Sequence, residues 1–254
     1  MNILHTIILA IVQGVSEFLP ISSSGHLMLL EKLGIGTPDL FFNVMLHVGT
    51  LLAVLVAMRK KVVALIKKPF SKEMGFLIVA CVPTVVIALV FKLCFPSLLN
   101  GKMLGFGFVL TATLLFVGEN LQIAQNKVLS YKNTFLSGVL QGIAVLPGVS
   151  RSGATISTLT FLGVPKEDAA NFSFLLSIPI IVGSAIVEIV DVAKSGFALA
   201  TPWHCIVIGI AISFLSGLLA IKFFLNMIDG HRLTGFVIYT ALVGVAVSIL
   251  PFFA

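Results

Sequence analysis

Long apolar stretches alternate with short polar connections along the whole chain. Six stretches carry at most one charged residue each, and their length of about 20 residues is what an α-helix needs to cross a bilayer. They cover residues 40–58, 74–95, 103–121, 172–190, 205–225 and 233–253. None alternates apolar and polar residues in the manner of membrane β-strands, so the pattern predicts transmembrane helices.

Four shorter apolar segments flank two polar breaks. Segments 3–19 and 25–33 lie on either side of Pro20 and three serines, and segments 134–146 and 154–162 flank a break that starts with Pro147. These segments are too short to cross a bilayer comfortably. Because non-helical backbone at membrane depth is tolerated only where it lines a cavity, each pair is predicted to be re-entrant.

The second half of the sequence repeats the first at a shift of 128 residues. The shift matches Gln13, Ser22, Gly25 and Asn43 with Gln141, Ser150, Gly153 and Asn171. Apolar bias does not explain matches between polar residues, so a duplication is predicted. The chain is therefore expected to be one integral membrane domain, 1–254, with repeat one at about 3–121 and repeat two at about 134–250.

The repeat also predicts the topology. A re-entrant pair returns to its own side and three spans cross an odd number of times, so the second repeat is inverted relative to the first. The predicted fold is an all-α polytopic membrane protein with two inverted-topology repeats, each a re-entrant helix pair plus three transmembrane helices. Eleven Lys and Arg residues fall on one side and four on the other. The excess assigns the loop 59–72 to the cytoplasm and both termini to the outside.

Composition agrees with lipid as the solvent. The chain is 58% hydrophobic and only 10% charged, whereas a soluble domain carries about 25% charged residues. The net charge is +6, and most of the Lys and Arg residues lie in short connections between spans, where they orient the protein. The bilayer is therefore the expected partner and nucleic acid is not, while the oligomeric state stays open.

The first polar break carries residues that membrane segments rarely contain. Gln13 and Glu17 are four residues apart on one helix face, and three hydroxyls and His26 follow within nine residues of Glu17. A carboxylate at membrane depth is energetically costly, so its presence there indicates a functional role. The next span adds two further polar side chains. The possible cavity or metal residues are Gln13, Glu17, Asn43 and His47.

The second polar break predicts an anion site. A helix is expected to begin just after it, with free N–H groups and a positive dipole end, and Arg151 adds a permanently charged fork for phosphate. The alternative interpretation is that Arg151 merely pairs with Glu17 across the repeat interface, and the two roles are compatible when the site is empty. The candidate phosphate-binding residues are Ser22, Ser24, Ser150, Ser152, Gly153 and Thr155. The two breaks together supply a carboxylate, an imidazole, several hydroxyls and a phosphate-binding site. This combination favours phosphoryl transfer on a lipid.

Residues 17–26 and 147–155 resemble the two signature motifs of the undecaprenyl-diphosphate phosphatase family, the bacitracin-resistance proteins. The resemblance implies a multi-pass hydrolase of the bacterial inner (plasma) membrane. Such an enzyme converts undecaprenyl diphosphate, a prenyl diphosphate lipid, to undecaprenyl phosphate, the carrier used in peptidoglycan and cell wall biogenesis. It also implies a divalent cation, Mg²⁺ or Ca²⁺. The active-site positions it implies are Glu17, Ser22, Ser23, His26, Ser150, Arg151, Ser152 and Thr155.

The resemblance has one departure, and it leaves the mechanism partly open. Gln13 stands where many members of the family have Glu, which weakens any scheme with two acidic metal ligands. Ser23 is the expected nucleophile because the repeat register sets it against Arg151, with His26 as general base and acid. Direct attack by water, with His26 as base, is the alternative mechanism.

A second function class remains compatible with the sequence. Inverted repeats with broken helices are typical of secondary transporters, so a transporter or flippase for a phosphorylated lipid or other anion is the alternative. A carrier has less need of Glu17 and His26 than a phosphatase does. Two other carboxylates, Glu119 and Glu188, lie near span ends and are expected to be interfacial.

Overall fold

The structure is a computed structural model that describes residues 2–37, 39–123, 127–194, 201–228 and 232–249, with the backbone alone at 192 and 194. The described residues form eleven α-helices and one short 3-10 turn. Four of the helices are long and apolar enough to cross a membrane. The protein is therefore an all-helical, polytopic membrane protein.

The first half contains six α-helices and the 3-10 turn. Every apolar segment predicted in this half is confirmed as a helix. The helices are α1 (Ile3–Phe18), α2 (Ser23–Lys32), α3 (Leu40–Ala57), α4 (Arg59–Lys67), α5 (Lys72–Cys94) and α6 (Leu104–Asn120), with the turn at Pro96–Leu98.

The second half contains five helices in the same order without a counterpart of α4. They are α7 (Tyr131–Ile143), α8 (Arg151–Phe161), α9 (Lys166–Lys194), α10 (Trp203–Ile228) and α11 (Thr234–Ile249). α6 and α11 have 17 and 16 residues and are shorter than the four long spans. The end of the predicted span 233–253 lies outside the described residues.

Two sequence-based expectations about helix positions were wrong. The basic segment 59–72 was expected to be a loop, but it begins with helix α4, which has no Gly or Pro and turns Val62 and Leu65 toward the core. α2 and α8 begin at Ser23 and Arg151, two and three residues earlier than predicted. In both cases a serine hydroxyl caps the earlier start.

The two halves pack into one apolar core. Its aromatic side chains come from both: Phe18 of α1 meets Phe174 of α9 edge to face at 5.6 Å between ring centroids, and Phe174 also contacts Phe224 of α10. α1 packs most extensively against α10, and α5 packs against α7. Each half therefore places its first helix against a long span of the other half.

The broken segments of the two halves touch through glycines. A Cβ atom on Gly25 would lie 2.9 Å from Cα of Gly148, and a Cβ on Gly107 of α6 would lie 2.1 Å from the carbonyl oxygen of Pro147. Gly148 has φ of 89°, which favours glycine. This close approach of three backbones brings both polar breaks to one place in the bundle.

We expect Gly107→Ala to destabilise the protein by about 1–3 kcal/mol, because the new methyl group collides with backbone that cannot move aside. Gly235, which occupies the matching position in α11, is the control, since a Cβ atom there meets nothing within 4 Å. Thermal unfolding of both variants in detergent is the measurement. Equal melting temperatures for Gly107→Ala and Gly235→Ala would contradict the close packing described.

Candidate active site

Two helix N-termini face one cleft. The hydroxyl of Ser22 accepts the Gly25 N–H at 3.3 Å and caps α2, and the hydroxyl of Ser150 accepts the Gly153 N–H at 3.0 Å and caps α8. The two serines occupy matching positions of the two halves. The positive dipole ends of two helices consequently meet at the cleft, where they favour a negatively charged ligand.

Ser22 has a strained backbone. Its φ of 71° is positive, which no other described non-glycine residue shows. Side chains other than glycine adopt this region only where the surroundings enforce it, and such residues cluster at functional sites. The His26 ring contributes by donating from Nδ1 to the Ser22 carbonyl at 2.7 Å. The strain turns the following residue, Ser23, toward α1.

The Glu17 carboxylate is the centre of the polar network. Its Oε2 atom accepts the Ser23 hydroxyl at 2.6 Å and the Gln13 amide at 3.0 Å. Its Oε1 atom accepts from Nη2 of Arg151, which comes from the other half of the chain. The described structure therefore contains the ion pair that the alternative interpretation of Arg151 proposes. Ser23 thus hydrogen-bonds to a carboxylate that can accept its proton.

Arg151 bridges the buried network and the open cleft. Its side chain is 25% exposed, whereas that of Glu17 is 3% exposed. Only Nη2 is bonded to Glu17, so the rest of the planar fork faces the space where an anion would enter. Arg151 is also the first residue of α8, so its charge adds to the dipole of that helix.

The cleft itself has a volume of about 220 Å³ and is lined by both polar and apolar side chains. Serines from both breaks line it together with charged or ionisable side chains from α1, α3, α8 and α9. These residues are Glu17, Ser22, Ser23, Ser24, His47, Ser150, Arg151 and Glu188. The described structure therefore brings the predicted carboxylate, hydroxyls and guanidinium together in one place.

His26 does not line this cleft. Its Nδ1 atom is bonded to Ser22, its Nε2 atom lies 2.6 Å from the hydroxyl of Tyr239, and its ring stacks on Tyr239. The histidine that does line the cleft is His47, whose Nε2 atom lies 3.8 Å from Oε2 of Glu17. Nδ1 of His47 donates to the Asn43 carbonyl at 2.8 Å, which leaves Nε2 free to accept a proton.

Several predicted site residues lie behind or beside the cleft wall. Asn43 donates to Glu31 at 3.2 Å, away from the cleft. Thr155 is fully buried and donates to Gln141 at 2.8 Å. Ser152 lies 3.1 Å from the Ser150 hydroxyl and 3.2 Å from the Leu19 carbonyl. Gly153 contributes its backbone N–H, which donates to the Ser150 hydroxyl. These contacts hold the two breaks in register.

Sequence reasoning missed three polar residues that the structure joins to the site. Glu188, expected at an interface, lines the cleft, and Gln141 does so from α7. Thr111 accepts the Ser150 N–H at 2.9 Å and donates to the Gly148 carbonyl, which fixes the second break. The repeat could have revealed Gln141, since Gln141 matches Gln13.

The donor set for a metal ion is limited. Among the described residues no group of three His, Cys, Asp or Glu side chains lies close enough to hold an ion. Oxygen donors are present, however. Oε1 of Gln13 is buried without a hydrogen-bond partner in the described structure, beside the Glu17 carboxylate. Hard cations prefer such oxygens, so the site fits an ion that takes its remaining ligands from a substrate.

Comparison with known proteins gives consistent matches over nearly the whole chain. A family model described as bacitracin resistance protein BacA matches residues 6–246. An undecaprenyl-diphosphatase of Carboxydothermus hydrogenoformans is 39% identical, with 98% of each chain covered. An undecaprenyl-diphosphatase of Halothermothrix orenii is 40% identical, also with 98% of each chain covered. Undecaprenyl-diphosphatase 4 of Bacillus cereus is 39% identical, over 99% of this chain and 98% of the relative.

The Glu17–Arg151 pair generates a stability prediction. Arg151→Ala leaves a buried carboxylate without its cation, and we expect a loss of about 3–5 kcal/mol in the free energy of unfolding. Glu17→Gln introduced into that variant removes the uncompensated charge and should restore much of the loss. Unfolding of the two single variants and the double variant in detergent measures this coupling. If the two substitutions lower stability additively, the pair does not hold the site together.

Proposed function

The chain belongs to the bacitracin resistance protein BacA family, and we propose that its cleft between α2 and α8 is the phosphatase active site. The protein is a membrane phosphatase that hydrolyses undecaprenyl diphosphate to undecaprenyl phosphate and inorganic phosphate. The observation that carries the assignment of the cleft is the contact of Ser23 and Arg151, from opposite halves, with the same Glu17 carboxylate.

The terminal phosphate of the substrate binds at the two helix N-termini. Arg151 turns its free N–H groups to the phosphate oxygens, and the hydroxyls of Ser24 and Ser150 donate further hydrogen bonds. The charge on the diphosphate opposes the approach of any nucleophile. Arg151 and the two helix dipoles offset that repulsion and stabilise the charge that develops in the transition state.

Ser23 is the nucleophile and Glu17 its base. The Ser23 oxygen attacks the terminal phosphorus while the hydroxyl proton passes to Glu17 across the 2.6 Å hydrogen bond. The bond from the terminal phosphorus to the bridging oxygen breaks, and undecaprenyl phosphate leaves with that oxygen and its electron pair. The phosphate group is now carried by Ser23.

His47, rather than His26, completes the reaction. Its free Nε2 atom takes a proton from a water molecule, whose oxygen attacks the phosphorus on Ser23. The bond from phosphorus to the Ser23 oxygen breaks, and the proton on Glu17 returns to that oxygen. Inorganic phosphate leaves, and His47 gives up its proton to the solvent. Both ring nitrogens of His26 are engaged outside the cleft, so we assign His26 to holding the Ser22 turn.

A divalent cation fits the same site. Mg²⁺ or Ca²⁺ would take oxygens from Glu17 and Gln13 and the rest of its ligands from the diphosphate. When bound, such an ion neutralises charge on the phosphate groups. The transporter alternative receives no support, since the relatives reported above are all named as diphosphatases.

We assign the two polar breaks to re-entrant segments in two inverted repeats, at about 3–121 and 134–250. Three observations support this arrangement: the matching serine caps, the reciprocal packing of α1 on α10 and α7 on α5, and the contact of Gly25 with Gly148. From the distribution of Lys and Arg we further propose that both termini lie outside the bacterial inner membrane and that α4 lies inside. A cysteine substituted for Lys67 tests this orientation. We expect it to be labelled only after the cytoplasmic face is opened.

Phosphate release from a prenyl diphosphate by the purified protein, with and without a chelator, tests the activity and its need for metal. We expect release that the chelator abolishes and that added Mg²⁺ or Ca²⁺ restores. Absence of release with either ion present would contradict the phosphatase assignment. Full release with chelator present would contradict the cation proposal alone.

The two histidines are distinguished by substitution in the same assay. We expect His47→Gln to lower turnover on the order of 10²-fold, because the attacking water loses its base. His26→Gln, the matched control, should lower turnover less, because His26 lies outside the cleft. A larger loss of turnover in His26→Gln than in His47→Gln would restore His26 as the base.

A further inference from the structure

Helix α4 presents an exposed apolar stripe at one end of the bundle. Its inner residues Val62 and Leu65 pack against the main core. On the outside, Val63 and Ile66 are 48% and 70% exposed, and Phe70, just beyond the helix, is completely exposed. A spacing of three residues places Val63 and Ile66 on one face of the helix, and Phe70 follows in the turn after it. A phenylalanine without any contact at a water-facing surface is unfavourable, so this stripe needs an apolar environment.

Six cations surround the stripe. They are Arg59, Lys60, Lys61, Lys67, Lys68 and Lys72, and Glu73 is the one acidic residue in the segment 59–73. In the part of the chain that the structure describes, none of the six lies within 4.0 Å of a carboxylate. A helix with an apolar stripe and many cations is typical of segments that lie in the bilayer interface.

The cations differ in their surroundings. Lys61 and Lys68 line a cavity of about 420 Å³ between α4, α5 and α9, and Glu73 and Asp168 line it too, so its lining is balanced in charge. Partial burial lowers the pKa of Lys61, while Glu167 and Asp168 act against that effect. The net positive charge therefore lies on the outer surface, with Arg59, Lys60, Lys67 and Lys72 beside the exposed stripe.

We propose that α4 and Phe70 form an interfacial anchor that binds anionic phospholipids. Val63, Ile66 and Phe70 enter the boundary between headgroups and acyl chains, and the flanking cations hold negatively charged phosphodiester headgroups. The position of the anchor favours lipid over an acidic protein, because α5, a membrane-spanning helix, begins at Lys72, two residues after Phe70. The proposal stands apart from the phosphatase site, which none of these residues lines.

The single tryptophan of the chain allows a direct test. Trp203→Phe combined with Phe70→Trp gives a reporter on the anchor, and the unaltered chain, with Trp203 at the start of α10, gives the matched control. Each protein is reconstituted into phosphatidylcholine vesicles that contain a small fraction of chain-brominated lipid. The brominated lipid is either phosphatidylglycerol, which is anionic, or phosphatidylcholine. Bromine quenches tryptophan fluorescence on contact, so quenching reports which lipid lies beside the reporter.

We expect brominated phosphatidylglycerol to quench the Phe70→Trp reporter about twofold or more above brominated phosphatidylcholine, and the two lipids to quench Trp203 equally. Added salt should reduce the excess at the anchor. Lys60→Gln, Lys67→Gln and Lys72→Gln together should abolish it while quenching by phosphatidylcholine remains. Prenyl-diphosphate hydrolysis, unchanged in these variants, shows that each remains folded.

Two results would overturn the proposal. Equal quenching of the Phe70→Trp reporter by the two lipids would show that the cations do not select anionic headgroups. Absence of quenching by either lipid would place α4 away from the bilayer and leave its surface to an aqueous partner such as an acidic protein. Neither result would bear on the hydrolysis reaction, which the phosphate-release assay tests separately.

Discussion

A buried carboxylate needs a compensating cation, and in this protein Glu17 obtains it from the opposite half of the chain. Arg151 pairs with one carboxylate oxygen, while Ser23 and Gln13 hydrogen-bond to the other. Without such a partner a buried charge is strongly destabilising. The pair therefore joins the two polar breaks. The proposed mechanism uses the same carboxylate, because an ionised Glu17 is what accepts the Ser23 proton in it.

The two breaks share a backbone plan and differ in their side chains. Both have a capping serine and a helix N-terminus at the cleft, which supplies two anion-binding dipoles. At the position where the first break has Ser23, the second has Arg151. In the proposed mechanism, these matching positions supply the nucleophile from one half and the phosphate-binding cation from the other. The site exists only where the halves meet.

The sequence predicted the helices and the two breaks well. The length of an apolar segment and the Pro, Gly and Ser residues that interrupt it are local signals. The pairing of Glu17 with Arg151 was the alternative interpretation of Arg151, and it followed from two breaks that meet at the repeat interface. The sequence did not predict α4 as a helix, since a run of cations was taken for a loop connecting two spans. An amphipathic helix at a bilayer interface carries the same cations, with its apolar residues at helical spacing.

The placement of His26 and Glu188 was beyond sequence reasoning. His26 is close to Ser23 in the chain, but its first-turn position in α2 directs the ring to Tyr239 of α11, a contact 213 residues away in sequence. Glu188 reaches the cleft because α9 packs across it, whereas His47 lines it from α3 as a predicted cavity residue. Such proximity depends on how helices distant in sequence pack, and no local spacing encodes it.

The most direct test of the central claim is a paired measurement on Glu17→Gln. The change keeps the size of the side chain and removes the charge that accepts the Ser23 proton. Affinity for a prenyl diphosphate and phosphate release are measured on the same preparation, with divalent ion supplied. We expect affinity that is unchanged or higher, since a negative charge near the diphosphate is gone, and release lower by about 10²–10⁴-fold. Release at the wild-type rate would contradict the assignment of Glu17 as the base.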